Sequence, residues 1–80
     1  MNKIEEIRIQ LKRMHNQIVN LLDQEQMKAA DIPDIGISTS EEANIVLNNI
    51  DLLYAALRSV DNAEYVLKDY EEVKANESTE

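Results

Sequence analysis

Apolar residues near the start of the chain fall at Ile4, Ile7, Leu11, Met14, Ile18 and Leu21, in alternating steps of three and four. That spacing tracks the 3.6-residue turn of an α-helix. It places the six side chains on one stripe, the pattern of a helix that lays a seam against another helix. Leu22 widens the stripe on one side. Nothing interrupts the pattern before Asp31-Ile32-Pro33, where proline disfavours helical geometry at the residue preceding it. A first helix over residues 2–29 follows, about 42 Å long at 1.5 Å per residue.

Residues 31–38 hold both Pro33 and Gly36, the one proline and one glycine of the chain, and form its only clear loop. Ile32, Ile35 and Ile37 make this loop apolar. They are expected to close the end of a helical bundle, since so short a chain needs each apolar contact. Ser38-Thr39-Ser40-Glu41-Glu42 then reads as a helix start. Thr39 as N-cap with Glu42 three residues on makes a capping box, and Ser38 with Glu41 offers the other register. Both acids suit the positive end of the helix dipole.

Beyond this start the apolar residues form two series. Ala43, Val46, Ile50, Leu53, Leu57 and Val60 make one seam, flanked by Leu47 and Tyr54, while Ile45, Leu52 and Ala56 point elsewhere. A helix that is apolar nearly all round is covered on most of its sides. Ile45, Leu52 and Ala56 are therefore candidate partner-binding residues, toward a second copy of the chain or another protein.

Ser59-Val60-Asp61-Asn62-Ala63-Glu64 admits two readings. Asp61 followed by Glu64 resembles a helix start, and Asn62 favours an end or a turn. Against that, no glycine or proline forces a break, and the stripe Leu53, Ala56, Val60, Ala63, Leu67, Tyr70 runs straight through. The preferred reading is three helices, at 2–29, 39–59 and 61–74, with a two-helix hairpin as the alternative. The fold class is all-α, a small helical bundle in which a long N-terminal helix packs on a second helix and a shorter third. It forms one domain over residues 1–75 with a disordered tail at 76–80, and a homo-oligomer is the expected assembly.

Composition supports the helical reading and removes several functions. One glycine and one proline in 80 residues are too few for a turn-rich β fold. With no Phe, no Trp and three Tyr, the core has to be aliphatic. There is no cysteine, which excludes disulfides and thiolate metal sites and suits a reducing compartment. Glu5 and Glu6 stand where a signal peptide needs an apolar run, and no stretch approaches the ~20 apolar residues that span a bilayer. A cytoplasmic location is expected.

Charge is unevenly placed. Residues 1–30 carry five bases (Lys3, Arg8, Lys12, Arg13, Lys28) against four acids (Glu5, Glu6, Asp23, Glu25), whereas residues 31–80 carry twelve acids against Arg58, Lys68 and Lys74. The two parts are +1 and −9, giving the net −8 of the chain. Asp61, Glu64, Asp69, Glu71 and Glu72 form a candidate acidic face. Such an excess repels nucleic acid and anionic lipid, whose binding needs clustered Lys and Arg. Neither nucleic acid nor membrane is an expected partner.

Reactive constellations are few. His15, the only histidine, has no partners in the sequence for a zinc site or a catalytic triad. Asp31, Gly36 and Glu42 match three positions of a twelve-residue calcium loop, but Pro33 and Ile35 stand where further oxygen ligands are needed. The adjacent carboxylate pairs Glu5–Glu6, Glu41–Glu42 and Glu71–Glu72 diverge by about 100° on a helix and do not face each other. No glycine-rich phosphate loop is present. No catalytic residue, metal or cofactor is expected.

Two local resemblances remain. Ile37-Ser38-Thr39 through Ala43-Asn44 to Leu47 and Ile50-Asp51 is similar to the start of the C-terminal core helix of bacterial flagellins. It rests on capping and periodicity. The Arg-x-x-Leu-Gly and Gln-Asn-Arg stretch of flagellins is replaced here by Arg58-Ser59-Val60-Asp61, so no function is carried across. Tyr65-Val66-Leu67-Lys68-Asp69 resembles the tyrosine-then-acid spacing of small helical-hairpin substrates of type VII secretion, although their tryptophan–glycine turn is missing. The function these residues point to is a non-catalytic protein-interaction module, a small regulator, adaptor or chaperone acting through a helical surface. The alternative is an acidic, nucleic-acid-mimicking inhibitor of a DNA-binding or host-defence protein, of the kind phages encode.

Overall fold

A computed structural model describes residues 2–78, the side chain of Ser78 excepted. Two helices account for most of it: α1 (Lys3–Ala30) and α2 (Glu41–Ser78). They pack against each other as a hairpin, and no strand occurs among the described residues. The helix expected at 61–74 is not separate. Helix α2 continues unbroken through Ser59–Glu64, since neither Asp61 nor Asn62 stops a helix whose apolar stripe continues on both sides. It also runs on through Asn76 and Glu77 to Ser78, where a tail was expected to begin, while residues 79 and 80 lie outside the described residues.

Both helices start at side-chain caps. The Asn2 side chain accepts from the Glu5 amide at 2.8 Å, satisfying one of the free donors of the first turn. In α2 the cap is Ser40, in place of either Thr39 or Ser38. Its Oγ accepts from the Ala43 amide at 3.1 Å, and its own amide donates to Ser38 Oγ at 3.2 Å. The shift by one residue keeps Glu41 and Glu42 in the first turn, against the positive end of the dipole.

Three cross-helix side-chain contacts set the antiparallel register: Arg8 with Glu71, His15 with Asp61, and Gln26 with Tyr54. In that register the first turns of α2 lie beyond Ala30, level with the loop. Ile32 and Ile35 are half-buried there, and Ala43 and Val46 beneath them are buried. Ile37, the third loop isoleucine, stands in solvent at 83% exposure.

The loop turns at Asp34, whose φ of 51° is left-handed, with Ile37 N–H donating to the Asp34 carbonyl at 3.0 Å. Aspartate tolerates that region better than most residues. Gly36 does not use the freedom that glycine has, because its φ is not positive and a Cβ there meets nothing within 4 Å. Gly36→Ala is therefore expected to stabilise the fold by about 0.5 kcal/mol, mainly by restricting the unfolded chain. A rise of a few degrees in melting temperature checks this, and a fall would mean that residue 36 visits a left-handed state.

The buried core is small: Leu22 on α1, and Ala43, Val46 and Val60 on α2. The shape explains why. The molecule measures 61 × 21 × 14 Å, with a radius of gyration of 18.3 Å, where a compact domain of this length has about 12 Å. It exposes 6312 Å², against about 4,900 Å² for a compact monomer of its mass. A lone hairpin of this length leaves more than half of each helix uncovered.

Candidate interaction surface

The seam between the helices decides which side chains are left over. On α2 the covered series is Ala43, Val46, Ile50, Leu53, Leu57, Val60, and it continues as Glu64, Leu67 and Glu71. All of these are buried or half-buried. On α1 the covered series is Ile4, Leu11, His15, Ile18, Leu22, Glu25 and Ala29. It shares Ile4, Leu11 and Ile18 with the stripe read from the sequence. The other three residues of that stripe, Ile7, Met14 and Leu21, lie off the seam and are exposed.

Polar groups occupy several seam positions and reach its edges. Arg8 Nη1 lies 3.1 Å from Glu71 Oε2, and His15 Nε2 lies 3.8 Å from Asp61 Oδ1. Glu25 Oε1 is 3.2 Å from Lys28 Nζ, while its Oε2 is buried without a hydrogen-bond partner. These groups help explain why so few residues in the seam are fully buried.

Because the hairpin is flat, it has two broad sides, and they differ in charge. One side carries Glu5, Arg8, Ile9, Lys12 and Glu64, which line a shallow depression, and the bond from Gln26 Nε2 to Tyr54 Oη at 3.1 Å. Its apolar residues are interleaved with charged ones. On the other side, Glu25, Lys28, Glu41 and Glu42, with Ile45, Val46 and Asn49, line a depression near the loop. From there two helical strips run toward the open end. The α1 strip is Ile7, Gln10, Met14, Gln17, Leu21, Gln24. The α2 strip is Ile45, Asn49, Leu52, Ala56, Ser59, Ala63, Val66, Tyr70, Val73. Both step by three and four residues, so each keeps to one face of its helix.

Within these limits neither strip contains a charged residue, and the same spacing meets charge at the ends, Lys3 and Lys28 on α1 and Glu42 and Glu77 on α2. Ile7, Met14, Leu21, Ile45, Leu52, Val66, Tyr70 and Val73 on this side are 42–60% exposed. Of the three candidate partner-binding residues, Ile45 and Leu52 are exposed here and Ala56 is half-buried beside the seam. The residues that sequence reasoning missed are the α1 strip and the distal part of the α2 strip. The signal for them was the run of uncharged residues from Ile7 to Gln24 and from Ile45 to Val73 at three-four spacing, which meets charge only at its ends, in Lys3, Lys28, Glu42 and Glu77.

The candidate acidic residues do not share one exposed side. Asp61, Glu64, Asp69, Glu71 and Glu72 spread over an arc of about 160° at 100° per residue. Glu64 and Glu71 are half-buried at the seam, Glu71 pairs with Arg8, and Asp61 lies beside His15. Asp69 and Glu72 remain exposed. Among the described residues no group of three or more His, Cys, Asp or Glu is placed to hold a metal ion, and no helix is long and apolar enough to cross a membrane. Comparison with protein-family models, with curated proteins and with solved structures gave no match.

Proposed function

We infer that this protein is a non-catalytic interaction module, working in the cytoplasm as a small regulator, adaptor or chaperone through a helical surface. The observation that carries the reading is the pair of uncharged strips on one broad side, on which Leu21, Ile45, Leu52 and Val66 stand exposed. Exposed apolar side chains gathered on one side of a small chain mark a contact site. Its form, two parallel helical strips, suits helix-against-helix packing.

Leu52→Glu tests this directly. Leu52 is 60% exposed, so glutamate there disturbs little of the hairpin itself. The substitution is expected to abolish binding of protein partners, a second copy included, while helicity measured by circular dichroism stays intact. Collapse of helicity would place Leu52 in the core of the hairpin and remove the basis of the reading. Partner binding that survives Leu52→Glu but falls steeply with salt would transfer the function to the acidic residues, because screening weakens charge contacts and leaves apolar packing in place.

A further inference from the structure

We propose that the occupant of the broad side bearing the two uncharged strips is a second copy of this chain, so that two hairpins stack face to face as a four-helix dimer. The proposal rests on reading that side as the interaction surface and names its partner.

Area is the first argument. The uncharged strip of α2 runs from Ile45 to Val73, about 42 Å along the helix, and the hairpin is 21 Å across. The α1 strip, Ile7 to Gln24, spans about 26 Å, so the two strips together cover roughly 700 Å², a little under the ~800 Å² that each partner contributes to a stable protein–protein interface. The hairpin also exposes 6312 Å², about 1,400 Å² more than a compact chain of its mass. Covering one broad side removes much of that excess.

Charge is the second argument, and it selects the side that a copy would use. Two chains of net charge −8 repel each other wherever their charged sides approach. The middle of this side, its strips without charge from Ile7 to Gln24 and from Ile45 to Val73, is where this repulsion is least, and Lys28 and Glu42 bound it at the loop end. The polar residues of the strips are amides and two hydroxyls, chiefly Gln10, Gln17 and Gln24, each able to donate and accept. A surface of that kind complements itself under a two-fold axis, as an isologous contact requires. Apolar closure here would also supply the core that Leu22, Ala43, Val46 and Val60 alone leave thin.

The test is sedimentation equilibrium of the full chain over a wide range of concentration, at low and high salt. Twice the 9.2 kDa chain mass is expected, with tighter association at high salt as the −8 repulsion is screened. The double variant Leu52→Glu, Val66→Glu is expected to weaken association at least a hundredfold. Tyr65→Glu, an exposed position outside the uncharged strips, leaves it unchanged. A wild-type chain that stays monomeric throughout overturns the proposal. So does a dimer indifferent to the double variant. Should the double variant fail to fold, the wild-type melting temperature decides. A rise with protein concentration supports the dimer, since association stabilises by mass action, and a constant value overturns it. A monomeric wild type whose binding to other proteins is lost in Leu52→Glu would sink the dimer and leave the interaction module standing.

Discussion

Leu22→Ala is expected to cost about 3 kcal/mol, within the range found when a buried leucine is cut back and its cavity only partly collapses. Leu22 is 6% exposed and is the single buried residue of α1. A chain of this size draws only a few kcal/mol from its core, so the variant should be largely unfolded without denaturant. Leu21→Ala, one position away at 49% exposure, is the matching control. At concentrations where the chain is monomeric it should cost less than about 1 kcal/mol, the order of a half-exposed apolar side chain. Urea titrations of both variants followed by helicity measure the difference. Equal costs would put Leu21 on the seam and restore the stripe read from the sequence.

The same pair of residues shows how far the sequence could be read. Two three-four series run along α1 and share Ile4, Leu11 and Ile18. Between these, one series passes through Ile7, Met14 and Leu21, the other through Arg8, His15 and Leu22. Counting apolar residues favours the first. The hairpin uses the second, because Arg8 and His15 can span the seam and carry their charged or polar ends to its edge, toward Glu71 and Asp61. Turned this way, α1 buries Leu22 and half-buries Ala29, and leaves Ile7, Met14 and Leu21 outside. The seam of α2 was legible because no charged residue interrupts it before Glu64. Apolar periodicity locates a face only where polar residues keep off it.

The capping of α2 was legible to within one residue. Ser38, Thr39 and Ser40 are all competent caps, and the backbone chooses among them by where the loop delivers the chain. The broad side with the two uncharged strips was legible only in part. Ile45, Leu52 and Ala56 stood out as misfits to the α2 seam. Joining them to Met14 and Leu21 requires knowing that α1 is rotated and that the helices are antiparallel. The short connection over residues 31–40 makes the helices antiparallel, and the rotation of α1 is seen in the cross-helix contacts of Arg8, His15 and Gln26.

Asn62→Pro is expected to cost about 3 kcal/mol or more, the usual penalty of proline inside a helix. Position 62 lies deep within α2, where its amide belongs to the helical ladder and a proline ring would meet the carbonyl four residues back, at Arg58. If α2 were instead two helices with Asp61 capping the second, residue 62 would be the first helical position, where proline fits well. The two architectures therefore predict opposite results for one substitution. Asn62→Ala serves as the reference, since it preserves the backbone donor. Melting of the proline variant within a degree or two of the alanine variant would mean that α2 breaks near residue 61 in solution. The consequence reaches the interaction surface as well. Leu52 and Val66 stand on opposite sides of Asn62 along the helix and share one strip only while α2 stays straight. A kink at residue 62 tilts one half of that strip away from the other, so the proline variant should lose association along with stability. Lost stability with unchanged association would mean that only one half of the strip makes the contact.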